Sequence, residues 1–406
     1  MTPRAHRLGL RSLRHAPIVA LLAAAALVLL PRDAAAQHEQ HTAATPVTGW
    51  AWAAEARVFL SWNVQERKFR DFHPVESQNW LMLGATHALG RARFGLHAMF
   101  SAEDYTLSRY GSPQVFQTGE TFEGAALVDY QHPHDVVMGA FARLDWPVGS
   151  RWRMHAEAGP VGAPAFGPVP FMHRASADPN PTAPLTHHHF DAMHVSRNVI
   201  TLGASQGALT MEASAFSGRE PDEDRLRIES GPIDSYAARV RWRRGGWDAQ
   251  FSAAYLSYPD PTEFTDLRRI TASVSYAGTW RERPIAVTMA YGHQAHTAFA
   301  LNSPAWIAEG VWDWRPATRF YVRGELVQKD ILTHGGYDPP GFEHEPVLSW
   351  IGAATFGVDH VIAAPRRHRF SVGADATVYA RDPNLDEAYG HPFSAHVFLR
   401  YAFRRD

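Results

Sequence analysis

The sequence contains no cysteine among its 406 residues. This absence excludes disulfide bonds, thiolate metal sites and cysteine nucleophiles. After residue 36 there is also no apolar run of spanning length, since a membrane-spanning helix needs about 20 apolar residues. The sequence contains neither a phosphate-binding P-loop nor a dinucleotide-binding fingerprint. Residues 37–406 are therefore not expected to form a helical membrane protein or a common nucleotide-binding fold.

Basic residues are not in excess either. The chain has 39 Lys and Arg against 41 Asp and Glu, and the first 36 residues hold five of the Arg and one of the Asp. The remaining chain has 34 basic and 40 acidic residues, a net charge near −6. Nucleic-acid binding requires a clustered basic surface, so we expect no nucleic-acid partner.

Residues 1–36 have the three parts of a secretory signal peptide. Residues 18–30 form a 13-residue apolar run, and residues 34–36 offer a small-residue cleavage site before Gln37. The basic residues before that run are Arg4, Arg7, Arg11 and Arg14. The run is short for a membrane anchor, although an uncleaved anchor is the alternative. We therefore expect export through a cleaved signal peptide, followed by a short flexible segment at residues 37–50.

From residue 51 onward, the chain alternates apolar and polar residues in short runs. In the first run, Trp52, Val58 and Trp62 fall on one face, and Glu55 and Arg57 fall on the other. A membrane β-barrel shows this period of two, with apolar side chains toward lipid and aromatic residues at both interfaces. The sequence therefore predicts an all-β fold, a single transmembrane antiparallel β-barrel over residues 51–406.

The polar face of these runs carries both signs of charge. A soluble β-sandwich would also alternate, but its polar face would not carry both signs of charge in strand after strand. A water-filled lumen accommodates such charges. In this interpretation the pore-lining residues are Glu55, Arg57, Arg153, His155, Glu157, Arg239, Arg241, Arg323, Glu325, Arg369 and Asp375. Segregation of their charges across the lumen would set an ion preference.

Short turns and long connections alternate along the chain, with seven short and eight long connections. Fifteen connections join 16 strands, which places both chain ends on the side of the short, periplasmic turns. The long connections are residues 65–78, 104–135, 159–193, 217–234, 258–267, 293–304, 330–346 and 380–392. Residues 122–130 also look strand-like, so 18 strands is an alternative. The long connections are expected to be extracellular.

The last strand carries a further signal. Val397, Leu399, Tyr401 and Phe403 alternate with more polar positions, which resembles the terminal strand of bacterial outer-membrane β-barrel proteins. The three residues 404–406 after the final aromatic depart from that pattern. The resemblance implies a porin-like barrel in the bacterial outer membrane, in contact with lipid, lipopolysaccharide and the barrel-assembly machinery. Residues 130–135, 168–174 and 217–223 resemble blocks of a family of uncharacterised outer-membrane barrels, and that resemblance implies no activity.

The longest irregular stretch, residues 159–197, is rich in Pro and Gly and follows the fifth predicted strand. In general porins, which the chain resembles in strand number, the loop after strand five folds into the lumen and narrows it. A loop in the lumen must satisfy its own backbone groups, and Pro removes donors that would need partners. We expect residues 104–135 and 159–193 to fold inward, with 159–193 as a constriction. A mobile external lid is the alternative.

Histidines in these two loops suggest a metal site. His187 and His189 point the same way in an extended chain, as do His132 and His134, and together such pairs would suit Zn or Cu(II). Met172 and Met193 would add soft ligands for Cu(I). The predicted ligands are His132, His134, His173, His187, His189 and His194. With 21 His after residue 36, ordinary hydrogen-bonding or surface roles are the alternative, so a chain without a cofactor remains the main expectation.

No catalytic residue is predicted. Asp135 would orient a histidine as a base partner or, as is common in turns, cap the turn before the next strand. Residues 203–207 match the nucleophile string G-x-S-x-G, but strand-like sequence follows where that motif needs a helix. The acidic residues 219–225 form a charged loop whose oxygens would suit divalent cations that bridge to lipopolysaccharide.

Three hypotheses follow from these patterns. The first is a passive, non-enzymatic channel for small hydrophilic solutes or ions. The second is a metal-binding or other ligand-binding barrel, or an enzyme on the barrel rim, with the His-rich loops as its site. The third is a structural role in surface adhesion through the 217–234 and 330–346 loops.

Overall fold

A computed structural model describes residues 49–118, 120–123, 125–259, 265–297, 301–329, 332 and 348–405. Its main element is one antiparallel sheet. The barrel strands are β1 (Trp50–Arg67), β2 (Asn79–Leu89), β3 (Ala92–Phe100), β4 (Val137–Val148), β5 (Trp152–Gly162), β6 (Ser196–Gln206), β7 (Leu209–Ser217), β8 (Ser235–Arg244), β9 (Trp247–Leu256), β10 (Leu267–Trp280), β11 (Arg283–His296), β12 (Asn302–Arg315), β13 (Thr318–Lys329), β14 (Ser349–Ala363), β15 (His368–Arg381) and β16 (Phe393–Arg405).

The sheet closes on itself because β1 pairs with both the second and the last strand. Trp52 lies opposite Ala85 of β2, and Val58 lies opposite Tyr401 of β16. Closure leaves no sheet edge, which a bilayer requires because lipid cannot satisfy edge hydrogen bonds. The closed 16-stranded antiparallel barrel confirms the predicted fold class and strand number.

The strand-like residues 122–130 do not join the ring. Glu120–Phe122 and Ala125–Leu127 pair only with each other, in a separate two-stranded sheet. Two other short strands, Arg70–Phe72 and Val75–Glu76, pair with the outer half of β1. The alternative of 18 strands in the ring is therefore wrong. The extra strands belong to long loops, where they either pair with the end of β1 or form a separate hairpin.

The burial pattern is the reverse of that of a soluble protein. On β1, Trp52 is 62% exposed and Leu60 is 51% exposed, whereas Ser61 and Asn63 are fully buried. The same inversion recurs on other strands, for example at exposed Phe356 and Val397. An apolar outer surface with a polar interior is stable only where lipid covers the outside.

The connections have two lengths, as predicted. At one end of the barrel the strands join through tight turns, such as Gly245 and Gly246 between β8 and β9, where both residues have positive φ. Two consecutive residues in this region form the hairpin turn that matches strand twist, and glycine adopts it without a steric cost. The long loops lie at the other end.

Where the long loops are described, their helices are short, among them Glu103–Thr106, His187–Phe190 and Asp386–Tyr389. No helix in the described ranges is long and apolar enough to span a membrane. The predicted signal peptide at 1–36, most of the segment 37–50 and most of the loop 330–346 lie outside the described residues.

Several long loops meet in an apolar cluster inside the barrel. Phe116 lies between β3 and β4, Phe190 between β5 and β6, and Tyr389 between β15 and β16, and all three are almost fully buried. The rings of Phe116 and Tyr389 stack with centroids 4.2 Å apart. These loops pack on Ile307 and Ile351 of the wall. The cluster fixes the loops in place at the long-loop end of the lumen.

Candidate functional site: the constriction of the barrel lumen

The loop between β5 and β6, residues 163–195, crosses the barrel interior and is called the inner loop below. Near its start, the backbone N–H groups of Ala165 and Gly167 donate to the hydroxyls of Ser214 and Ser252 on β7 and β9. Further along, the hydroxyl oxygens of Ser176 and of Thr288 on β11 lie 2.7 Å apart. Small hydroxyl residues on the wall thus satisfy backbone and side-chain groups of a loop that has little structure of its own.

The inner loop reaches the far wall at Asp178. Its carboxylate accepts hydrogen bonds from Arg57 Nε at 3.2 Å, from Arg319 Nη1 at 2.7 Å and from Arg400 Nη2 at 2.6 Å. These arginines come from β1, β13 and β16. Arg319 is the second residue of β13, after a short turn, so the loop descends toward the short-turn end of the lumen. We call these four residues the Asp178 cluster.

A second ionic group holds the middle of the loop. Arg174 donates from Nε to Glu309 Oε1 at 2.5 Å and from Nη1 to Asp191 Oδ2 at 3.1 Å. Glu309, on β12, also accepts from Arg323 Nε on β13 at 3.1 Å. All four side chains are at most 4% exposed. Because each charge is paired, this Arg174 network tolerates its burial.

The end of the inner loop is held from two sides. On the wall, Glu325 accepts from the backbone N–H and the hydroxyl of Thr186, both at 3.1 Å. From above, Gln114 and Gln117 donate to the carbonyls of Ala183 and Pro184. These two glutamines belong to the loop between β3 and β4, residues 101–136, called the supporting loop below. It packs on the inner loop inside the barrel.

The predicted pore-lining residues fall into three groups. Four of them bond to the inner loop: Arg57, Arg239, Arg323 and Glu325. Others pair across the wall: Glu55 with Arg57, His155 with Glu212, Glu157 with Arg143, Arg241 with Asp248, and Asp375 with His396. Arg369 is half-buried, and Arg153 is exposed at the short-turn end. The wall charges are therefore largely compensated in place.

The sequence patterns did not predict five residues of this site: Asp178, Arg174, Glu309, Arg319 and Arg400. The three wall residues sit at inward positions of strands whose alternation was recognisable, so a complete count of polar positions would have found them. No sequence pattern identifies Asp178 and Arg174, because side chains do not alternate regularly between two faces in an irregular loop. Only the tertiary fold shows which charges they meet.

Four of the six predicted metal-ligating histidines, together with Asp135, line one cavity of about 30 Å³ between the inner and supporting loops: His132, His134, His187 and His194. Two do not join them. His189 bonds through Nε2 to Ser303 on β12 at 2.9 Å, and the ring of His173 packs edge-on against Trp80. In the described part of the chain, no three His, Cys, Asp or Glu residues stand in a ready metal-binding arrangement.

The electrostatics of this cavity favour the uncharged ring at two of its histidines, His132 and His194. Burial, reinforced by neighbouring histidines, holds the pKa of His194 well below 6.5, and burial with Arg225 does the same for the pKa of His132. Although burial raises the pKa of Asp191, its partner His187 outweighs this effect and lowers it to about 2. The shifts therefore favour the neutral ring of His132 and of His194 and the ionised carboxylate of Asp191.

The Asp178 cluster has a testable pH dependence. Burial raises the pKa of Asp178, but Arg400, Arg57 and Arg319 outweigh it and hold this pKa well below 3.8. The loop contact is therefore fully present above the unfolded-state value near 3.8 and is lost only as the pH falls through the lower folded-state pKa. We expect the conductance per barrel in planar bilayers to stay flat from about pH 7 to pH 4. A conductance rise centred above pH 4 would contradict this reading of the cluster.

Two solved structures cover most of the chain. An anion-selective porin from Comamonas acidovorans superposes with a TM-score of 0.55 at 10% identity, over 87% of this chain and 99% of that one. The chain has the porin fold. Pseudomonas putida OprB superposes with a TM-score of 0.51 at 10% identity, over 88% of this chain and 94% of OprB. No protein-family model matches the sequence, and a search of curated proteins finds no match. At this identity the likeness to porins concerns the fold alone.

Proposed function

We propose that this barrel is an outer-membrane channel for small hydrophilic solutes or ions, narrowed by the inner loop. The observation that carries the proposal is the path of residues 163–195 through the lumen to the Asp178 cluster on the far wall. In this proposal, the paired charges that hold the loop halfway down the barrel would line a narrow polar passage beside it. The porin fold of two solved structures supports the same function.

We further propose that the channel has weak charge selectivity. The Asp178 cluster contributes three cations and one anion, and Glu55 and Asp359 add two anions through their bonds to Arg57 and Arg319. Arg369 and Asp313 interact electrostatically with Asp178 and add one charge of each sign. The opposite charges balance, in contrast to the anion selectivity that the name of the Comamonas acidovorans porin states.

The test is a planar-bilayer recording on refolded barrel, with a heat-unfolded sample as the matched control. We expect discrete current steps only from folded protein. In a KCl gradient the reversal potential should lie near zero, because neither ion is strongly preferred. Folded protein without current steps would refute the channel, whereas steps with a large reversal potential would refute only the charge balance.

Residence in the outer membrane completes the proposal. Export of the chain would use the predicted signal peptide, and the aromatic end of β16 would meet the barrel-assembly machinery. The exposed apolar residues of the strands would contact lipid, because the protein itself does not bury this surface. Acidic residues 220–224 in the loop after β7 would approach lipopolysaccharide through divalent cations.

A further inference from the structure

Two imidazoles from different loops meet in the cavity between the inner and supporting loops. His134 belongs to the supporting loop and His194 to the inner loop, and their Nε2 atoms are 3.2 Å apart. Both rings are held from behind. His134 Nδ1 lies 2.7 Å from Glu103 Oε2, and His194 Nδ1 lies 2.7 Å from the backbone carbonyl of Asp191.

These anchors decide which nitrogen carries the proton. A carbonyl oxygen only accepts hydrogen bonds, so His194 Nδ1 must be the N–H donor, and its Nε2 then presents a lone pair. The carboxylate of Glu103 imposes the same tautomer on His134. The two lone pairs therefore converge on one point. Two imidazole ligands of a shared cation have this arrangement, since tetrahedral donors at 2.0–2.1 Å from Zn²⁺ lie about 3.3 Å apart.

A third imidazole lies beside the pair. The ring centroid of His187 is 5.4 Å from that of His194, and its Nδ1 lies 2.6 Å from Asp191 Oδ1. Asp191 thus orients two histidines, one through its carboxylate and one through its carbonyl. Its other carboxylate oxygen accepts from Phe171 N and Arg174 Nη1, so the anchor is rigid. Metal-binding histidines commonly donate their second ring N–H to such carboxylates and carbonyls.

We propose that His134 and His194, joined by the ring of His187, bind one divalent transition-metal ion of the Zn²⁺ or Cu²⁺ class. The ion would link the inner loop to the supporting loop and stiffen the constriction. The ring of His187 would have to move to complete the donor set, since the three side chains as they stand do not complete a site. The cavity of about 30 Å³ has room for one ion and a water. This site goes beyond the proposed channel, which conducts without it.

The charges around the cavity are compatible with a cation. Arg197 and Arg225 are nearby, and both pair with Asp135, which offsets one of their two positive charges. Arg219, Arg269 and Glu220 also line the cavity. Glu103 and Asp191 bring two further carboxylates directly behind the ligand rings.

The experiment is isothermal titration of the refolded full barrel with ZnCl₂ and with CuCl₂, followed by elemental analysis after desalting. We expect one ion per barrel. His194→Ala should abolish binding, and Glu103→Gln, which leaves all ligands in place, should weaken it by about 10–100-fold as outer-sphere changes do. The bound ion should also slow protease cleavage of the inner loop, and EDTA should reverse that protection.

His189→Ala is the matched control, because His189 lies on the same short helix as His187 but bonds to Ser303 on the wall. It should bind metal like the wild-type barrel. Absence of stoichiometric metal in the wild type would overturn the proposal, as would equal losses in His189→Ala and His194→Ala. Either result would leave the planar-bilayer test of the channel unaffected, because that recording is made without added metal.

Discussion

Replacement of Asp178 by Asn should release the tip of the inner loop and raise the single-channel conductance several-fold. The carboxylate is the shared partner of Arg57, Arg319 and Arg400. In the variant, Arg57 would still pair with Glu55, and Arg319 would still pair with Asp359. Arg400 would lose the hydrogen bond that its Nη2 donates to Asp178. Breaking a buried ion pair from one side costs about 3–5 kcal/mol. Because about a fifth of the Asp178 side chain is exposed, we expect about 3 kcal/mol, or roughly 100-fold in the docking equilibrium of the loop.

The measurement is planar-bilayer conductance of the folded variant, with the reversal potential in a KCl gradient as a second reading. Removing one negative charge should also shift the preference toward anions. Asp248→Asn is the matched control, because Asp248 pairs with Arg241 on the wall and its recorded bonds do not involve the inner loop. A conductance of Asp178→Asn equal to that of the control would show that the cluster does not hold the constriction.

The barrel was predictable because its signal is periodic. Lipid outside and polar groups inside impose alternation on each strand, as at Trp52, Glu55 and Arg57, and this pattern survives without any knowledge of neighbours. The number of strands followed from the alternation of short and long connections. Residues 122–130 show the limit of the pattern, because a hairpin inside a loop alternates like a barrel strand.

The interior site was only partly predictable. The position of residues 159–193 after the fifth strand indicated that this segment matters, but the partners of Asp178 and Arg174 on the barrel wall are more than a hundred residues away in sequence. The histidines illustrate the same limit. Period two grouped His187 with His189, whereas the short helix His187–Phe190 turns His189 toward β12. The local sequence identified the loop, but the contacts of each loop side chain depend on the strand residues of the barrel wall that it meets.

Replacement of Glu309 by Gln should undock the middle of the inner loop without disturbing the barrel. Glu309 is the shared partner of Arg174 on the loop and Arg323 on β13, and it also accepts from Ser176 at 2.8 Å. The substitution keeps the shape but leaves two buried guanidinium groups facing a neutral amide. Loss of a buried partner of this kind costs about 3–5 kcal/mol. Hydrogen exchange of the loop amides should therefore accelerate by about two to three orders of magnitude, since each 1.4 kcal/mol is tenfold.

A double-mutant cycle separates this ionic effect from lost packing. Arg174→Met removes the loop cation, so in the Glu309→Gln background it should cost less than in the wild type, because the Arg174–Glu309 pair is already broken and only the pair with Asp191 remains. The difference between the two costs should exceed about 1 kcal/mol, as expected for residues in one buried network. Amides of β7 and β8, away from the network, serve as the internal reference and should exchange at wild-type rates. Additive costs would mean that the Arg174 network fills space rather than holding the loop by charge, and the constriction would then depend on the Asp178 cluster alone.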